Sequence, residues 1–397
     1  MYMLVDTGAG SSWVMGTACG SDSCKRHDTF GPEDSDTIDT SAEDFSIAYG
    51  SGNVEGKLTT DTINVAGMSF KYKFGLASKA SDDFAHFAFD GILGLSMGKG
   101  ASDNFLETLG NSKAVPSPIF GVSLNRASDG TNNGEIKFGG TNPAKYTGDI
   151  TYTAVGKDGG DWAIPLDDMA YDGKKASVGG NLAYIDTGTS FIFGPEDLVK
   201  KFHANIPGAE AMDDASFSVP CDANKPFIVT FSGKDYTISP KDWISPKDGA
   251  GKCTSNIYGH EVVQGAWLFG DTFLKNVYAV FDKDKKQIGF AKAAGTPSGP
   301  NSDSSSGATK TTTASDGTLT TMTTQITATS GDMNPPRSRP PMGLSGHETQ
   351  ATGSGSPTSD GKPSKTGDSK NAAAGLHARA VQAMSAAGFI TVLAMAI

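Results

Sequence analysis

The chain has 397 residues, with 33 Lys and Arg against 44 Asp and Glu and a net charge of −11. That length is a soft prior for two domains, and 50 glycines beside 37% hydrophobic residues exclude wholesale disorder. The last hundred residues carry seven basic and six acidic side chains, so the acidity belongs to the body. No basic stripe exists to release counterions from a phosphate backbone, and nucleic acid is not expected as a partner.

The first residues, Met1-Tyr2-Met3-Leu4-Val5, have neither a basic n-region nor a long apolar stretch and do not form a signal peptide. They read as the middle of a strand, so the start is expected to be truncated. Residues 1–295 read as all-β, because short apolar runs alternate with Gly, Asp, Asn and Ser clusters at about ten-residue spacing. Phe45–Tyr49, Ile119–Leu124 and Tyr278–Phe281 are examples. Helical signals are few. They cover Asn104–Leu109 and Pro195–His203, the latter opening on Pro-Glu-Asp.

An internal echo divides this body. Asp6-Thr7-Gly8 recurs as Asp186-Thr187-Gly188, each after apolar residues. Each is answered downstream by two apolar residues and a glycine, Ile92-Leu93-Gly94 and Leu268-Phe269-Gly270. Chance alone gives about 0.1 copies of such a triplet in a chain this long. The layout implies a duplicated β-domain, with lobes over 1–150 and 151–295 and a cleft between them. An apolar strand delivers each Asp into a dry interior, the Gly lets the backbone come close to a neighbour, and the Thr hydroxyl can bond across to the other half. If the two loops meet, their carboxylates cannot both ionise and must hold one proton between them. Such a pair activates water on one oxygen and protonates a carbonyl from another, without metal or covalent intermediate. Alternatively, both Asp residues are strand-end turn residues.

Between the echoes, Tyr49 stands beside Gly50-Ser51-Gly52, the chemistry of a hairpin tip with one aromatic side chain. Cys19 and Cys24 lie close together, whereas Cys221 and Cys253 lie about thirty residues apart. Their spacing suits two disulfides in an oxidising compartment, against the alternative of four buried thiols. His27, His86, His203, His260, His347 and His377 never pair at metal-ligand spacing, and no metal or cofactor is expected. From 296 to 370 Ser, Thr, Gly and Pro dominate, the composition of a disordered, O-glycosylated stalk. Over 371–397 a small run, Asn371-Ala372-Ala373, precedes an uncharged apolar end. This is the pattern of a glycosylphosphatidylinositol signal, with Asn371 as attachment site or one upstream near Gly367-Asp368-Ser369; a retained membrane span is the alternative.

At these residues the chain resembles the pepsin-like aspartic proteases, over nearly all of 1–295. Asp6-Thr7-Gly8 with Trp13 downstream is similar to the family's first catalytic loop, and Asp186-Thr187-Gly188-Thr189-Ser190 to the second. Phe89–Leu95 and Trp267–Asp271 are family-like runs, and Cys19/Cys24 and Cys221/Cys253 fall where the family places disulfides. Ile47–Gly52 resembles its flap. The resemblance implies a bilobal pepsin-like double β-barrel with Asp6 and Asp186 catalytic and Thr7, Gly8, Thr187 and Gly188 supporting the loops. It further implies that Tyr49 orients the cleft by bonding Trp13, and that Gly50, Ser51, Gly188 and Thr189 bond substrate backbone. Ala9 departs from the family's frequent Ser, which removes a hydroxyl beside Asp6. With the anchor pattern, the whole resembles fungal cell-surface members. It is expected to be a secreted or surface-held monomer that cleaves proteins or peptides in acid and touches membrane only through a lipid. A catalytically silent binding module and a stalked wall or adhesion protein are the other classes weighed.

Overall fold

A computed structural model describes residues 1–294 except 127, 128, 130–132 and 158, together with the backbone of Thr349–Gln350 and Val392–Ala394. The rest of the expected stalk and of the expected attachment signal, with Asn371, lies outside the described residues.

The first half is built on β1 (Tyr2–Asp6), β2 (Trp13–Met15), β3 (Asp39–Tyr49), β4 (Gly52–Val65), β5 (Met68–Ala80) and β6 (Gly91–Gly94). They form one sheet in the order β3-β4-β5-β2-β6-β1, with Thr349–Gln350 paired to β3 and Val392–Ala394 to β1. β4 alternates buried and exposed side chains over much of its length, the period of a strand with one face on the core. β1 and β6 are buried almost throughout, as suits central strands covered on both faces. β1 runs parallel to β6 and sets Asp6 opposite Gly94.

The second half repeats this device. Leu182–Ile185 runs parallel to Trp267–Phe269, with Ile185 opposite Phe269. Ala163–Pro165 flanks one side of the sheet, and Ile192–Gly194 with Ile257–Gly259 flank the other. The answering motifs foreseen in the sequence are therefore the partner strands of the Asp-bearing strands. A further sheet takes strands from both halves, in the order Glu135–Phe138, Ile119–Ser123, Val277–Asp282, Gln287–Ala293, Tyr146–Ala154. Residue 150 falls inside its last strand. Phe120 and Phe281 stack across it with ring centroids 4.8 Å apart, and truncating either to Ala would cost about 3–5 kcal/mol.

Both foreseen helices form. Phe105–Asn111 is capped by Asn104, whose side chain accepts from the Glu107 amide at 3.0 Å. Glu196–His203 starts after Pro195, with acids in its first turn and Lys200 and Lys201 in its last, which complements the helix dipole. Two one-turn helices, Pro240–Trp243 and Asp271–Leu274, have no matching signal in the sequence reading. Both disulfides are formed, Cys19–Cys24 and Cys221–Cys253. His203 is buried against Phe217 at 4.1 Å. The buried His27 ring sits between the Phe84 carbonyl, 3.0 Å from Nε2, and the Asp90 carboxylate, 3.5 Å from Nδ1.

Candidate active site

The two Asp-Thr-Gly turns meet at the ends of their strands and are interlocked by four hydrogen bonds. The Thr7 hydroxyl donates to the Ile185 carbonyl at 2.8 Å, and the Thr187 hydroxyl to the Val5 carbonyl at 2.7 Å. Each hydroxyl also accepts the other threonine's amide, at 3.1 Å in both directions. All four threonine groups are buried, so losing one hydroxyl leaves a buried amide and a buried carbonyl unpaired.

This interlock brings Asp6 and Asp186 face to face, both buried. The Gly8 amide lies 2.8 Å from Asp6 Oδ1 and 3.2 Å from Asp186 Oδ1, donating to both carboxyls. Ala9 N–H donates to Asp6 Oδ1 at 3.0 Å, and Gly188 N–H to Asp186 Oδ1 at 2.9 Å. The Thr189 hydroxyl donates to Asp186 Oδ2 at 2.6 Å. Asp6 Oδ2, also buried, receives no such bond from a backbone or hydroxyl donor among the described residues. A side chain at 188 would not fit, because its Cβ would lie 2.5 Å from Asp6 Cγ.

Burial, and then the charge of Asp186, push the Asp6 carboxyl well above the usual carboxylate range. Asp186 collects three donors over both oxygens and Asp6 two on one oxygen, and the raised Asp6 carboxyl is the one suited to hold a proton. The pair is set up to polarise a carbonyl from one side and draw a proton from the other.

Above β2 the hairpin β3–β4 turns at Gly50-Ser51, with Tyr49 paired to Gly52. Trp13 Nε1 donates to the Tyr49 hydroxyl at 2.8 Å. Phe84 stands edge-on to Trp13 at 5.4 Å and to Tyr49 at 6.3 Å. Since β2 pairs with β6, and β6 with β1, the bond ties the hairpin tip to the strand system that carries Asp6.

A profile described as eukaryotic aspartyl protease matches residues 1–293. The chain belongs to that family. Among curated relatives it is 40% identical over 313 residues to a probable aspartic-type endopeptidase CTSD of Trichophyton verrucosum, covering 77% of this chain and 61% of that protein. It is 40% identical over 298 residues to the aspartic-type endopeptidase ctsD of Aspergillus fumigatus, covering 73% and 62%. Pepsin A of Sus scrofa matches at 32% over 304 residues, covering 74% and 77%. The chain thus spans about three fifths of the length of the first two.

In this member of the family the sequence-derived residues fall into two groups. Asp6, Thr7, Gly8, Asp186, Thr187, Gly188 and Thr189 are joined directly by hydrogen bonds. Trp13 and Tyr49 are joined to each other, with Gly50 and Ser51 at the hairpin turn. Sequence reasoning missed the pocket beside Asp186, which is lined by Tyr184, Val262, Val263 and Leu268, with Asp161 also on its lining. Tyr184 and Leu268 flank the echoed motifs and could have been suspected. Asp161 and the two valines arrive on loops and carry no local signal. The sequence also gave no role to Asp271, buried on the one-turn helix after Gly270. Burial, against the pull of Lys275, raises its carboxyl to about 6.

Proposed function

We propose that this protein is an acid endopeptidase in which Asp6 and Asp186 activate a water between them for direct attack on a peptide carbonyl. Asp186, which accepts three hydrogen bonds, takes a proton from the water. Asp6 gives its proton to the carbonyl oxygen as the tetrahedral intermediate forms. That intermediate collapses when a carboxyl returns a proton to the departing amine. The Tyr49 hairpin folds over an extended peptide, excludes bulk solvent and offers backbone groups at Gly50 and Ser51, while Gly188 and Thr189 offer theirs from below. The observation that carries this reading is the Gly8 amide lying within hydrogen-bond reach of both carboxyls.

The experiment is hydrolysis of a denatured protein by the full chain at about pH 3–5. A statine-type transition-state mimic should block it, and chelators and serine or cysteine reagents should not. Asp6→Asn and Asp186→Asn should each cut turnover by at least about a hundredfold while the circular dichroism stays native. Full activity in either variant sinks the shared-carboxylate mechanism.

The protein is further proposed to act as a monomer at a cell surface or after secretion, held by a lipid on its C-terminal segment. The small-residue run at Asn371, the apolar end and the Ser/Thr-rich stretch before it support this. Release from intact cells by a phosphatidylinositol-specific phospholipase tests the anchor; retention on the cells argues for a membrane span.

A further inference from the structure

A polar network lies behind the second Asp-Thr-Gly turn, and its outermost member comes from the other half of the chain. Arg126 follows the strand Ile119–Ser123, in the sheet that both halves share. Its Nε donates to Asp242 Oδ1 at 2.8 Å and its Nη2 to Asp242 Oδ2 at 2.6 Å, a two-pronged grip on a buried carboxylate. The same Nη2 donates to Asn276 Oδ1 at 2.8 Å, and Asp129 lies 3.5 Å from Nη1. Ser239 N–H also donates to Asn276 Oδ1, at 2.9 Å. Asn276 Nδ2 donates to Asp242 Oδ2 at 2.9 Å and to the Thr272 carbonyl at 3.0 Å. The buried Asn276 amide thus makes every hydrogen bond open to it.

Thr272 belongs to the one-turn helix Asp271–Leu274, whose first residues hold the loop after Asp186. Asp271 N–H donates to the Thr189 carbonyl at 2.8 Å, and Thr272 N–H to the Ser190 carbonyl at 3.0 Å. The Thr272 hydroxyl adds a second bond to the Ser190 carbonyl at 3.2 Å. A Cβ on Gly270, just before the helix, would lie 2.0 Å from the Thr189 carbonyl oxygen, so helix and loop are in closest contact. Thr189 in turn donates its hydroxyl to Asp186. The corresponding position of the first turn is Ala9, which has no hydroxyl to aim.

We infer that Arg126 is a positioning residue for the second turn. It fixes Asp242 and Asn276, these fix the helix Asp271–Leu274, and the helix holds Thr189 so that its hydroxyl meets Asp186. The inference rests on the proteolytic reading and adds to it a first-half residue that keeps the second-half carboxyl in order. Asp242, Asn276, Thr272, Asp271 and Thr189 are all buried, so bulk water does not stand in for a lost link. Arginine suits the task because its planar fork reaches Asp242 and Asn276 together. Lysine keeps the charge and loses the fork.

The test measures kcat and KM of the full chain at about pH 4 on one peptide that the wild type cleaves. Arg126→Gln should lower kcat about tenfold and leave KM within about twofold, and Arg126→Lys should lower kcat about threefold. Thr189→Val removes the hydroxyl itself and should lower kcat about tenfold. Adding Arg126→Lys to Thr189→Val should then cost nothing further, because the group that the network aims is gone. A merely structural role would lower kcat equally in both backgrounds. Should Arg126→Gln fail to fold, Arg126→Lys alone and combined with Thr189→Val decides. An unchanged kcat in Arg126→Lys, a loss confined to KM, or the same loss on top of Thr189→Val overturns the assignment while leaving the protease reading intact. If the wild type cleaves no peptide or protein, the protease reading falls and this inference with it.

Discussion

The two Asp-Thr-Gly turns match in backbone and differ in their surroundings. Thr7 and Thr187 exchange bonds that agree to within a tenth of an ångström or so. One residue beyond each glycine the match ends, where Ala9 offers Asp6 only a backbone amide and Thr189 offers Asp186 a hydroxyl. Behind the turns the difference is larger, because the position after the answering glycine is Leu95 in one half and Asp271 in the other, both buried. Symmetry here maintains geometry, and its local failures assign the proton. Two identical shells would leave the charge no reason to prefer either carboxyl.

The comparison can be broken hardest at Gly188, whose close approach to Asp6 leaves no room for a methyl group. Gly188→Ala should lower kcat/KM by about a hundredfold through displacement of the reacting groups, read by steady-state kinetics beside an unchanged far-ultraviolet spectrum.

Asp271 comes next. Its folded-state value of about 6 lies above the ordinary value of about 3.9. The folded protein therefore binds this proton more tightly than the unfolded chain does. The resulting stability is fully present below about pH 4, is lost as pH rises through 6, and amounts to roughly 2–3 kcal/mol. His203 acts with the opposite sign. Burial lowers it to about 4, so its contribution is lost as pH falls from about 6.5. Asp271→Asn isolates the first effect, since the variant's Tm at pH 4 should fall relative to its Tm at pH 7, with the opposing His203 contribution left uncompensated.

The threonines test the symmetry itself. Thr7→Val and Thr187→Val should each destabilise by about 2 kcal/mol in urea unfolding and should agree with each other. Unequal costs would mean that the halves do not grip one another evenly. The smallest expected effect belongs to Ala9→Ser. A hydroxyl donating to Asp6 favours its ionised form and lowers its pKa, so the alkaline limb of the kcat/KM profile should move down by about 0.5–1 pH unit. An unmoved limb would detach Asp6 from the titration that governs activity.

Much of this was legible in the sequence because duplication writes the same chemistry twice. Asp6 and Asp186 were found by their echo, and their partner strands by the answering glycines. The hairpin tip followed from Tyr49 and its glycines, and the helices from Asn104 and Pro195. The pocket beside Asp186 was not legible, because part of its wall comes from a loop pinned to the other lobe through Gly160 and Trp162, and no periodicity encodes such a contact. Asp271 lay inside a motif quoted for its neighbours, and only its burial shows what it does. The sheet shared by Ile119–Ser123 and Val277–Asp282 was hidden for a related reason, since pairing across more than 150 residues leaves no mark on either strand.

That shared sheet also sets when the two halves can be joined. Val277–Asp282 and Gln287–Ala293 are among the last body strands to leave the ribosome, yet they lie between Ile119–Ser123 and Tyr146–Ala154, which emerge far earlier. Contacts of such long range form late. A nascent chain therefore carries both acidic turns well before the strands that join its two halves are available to pair.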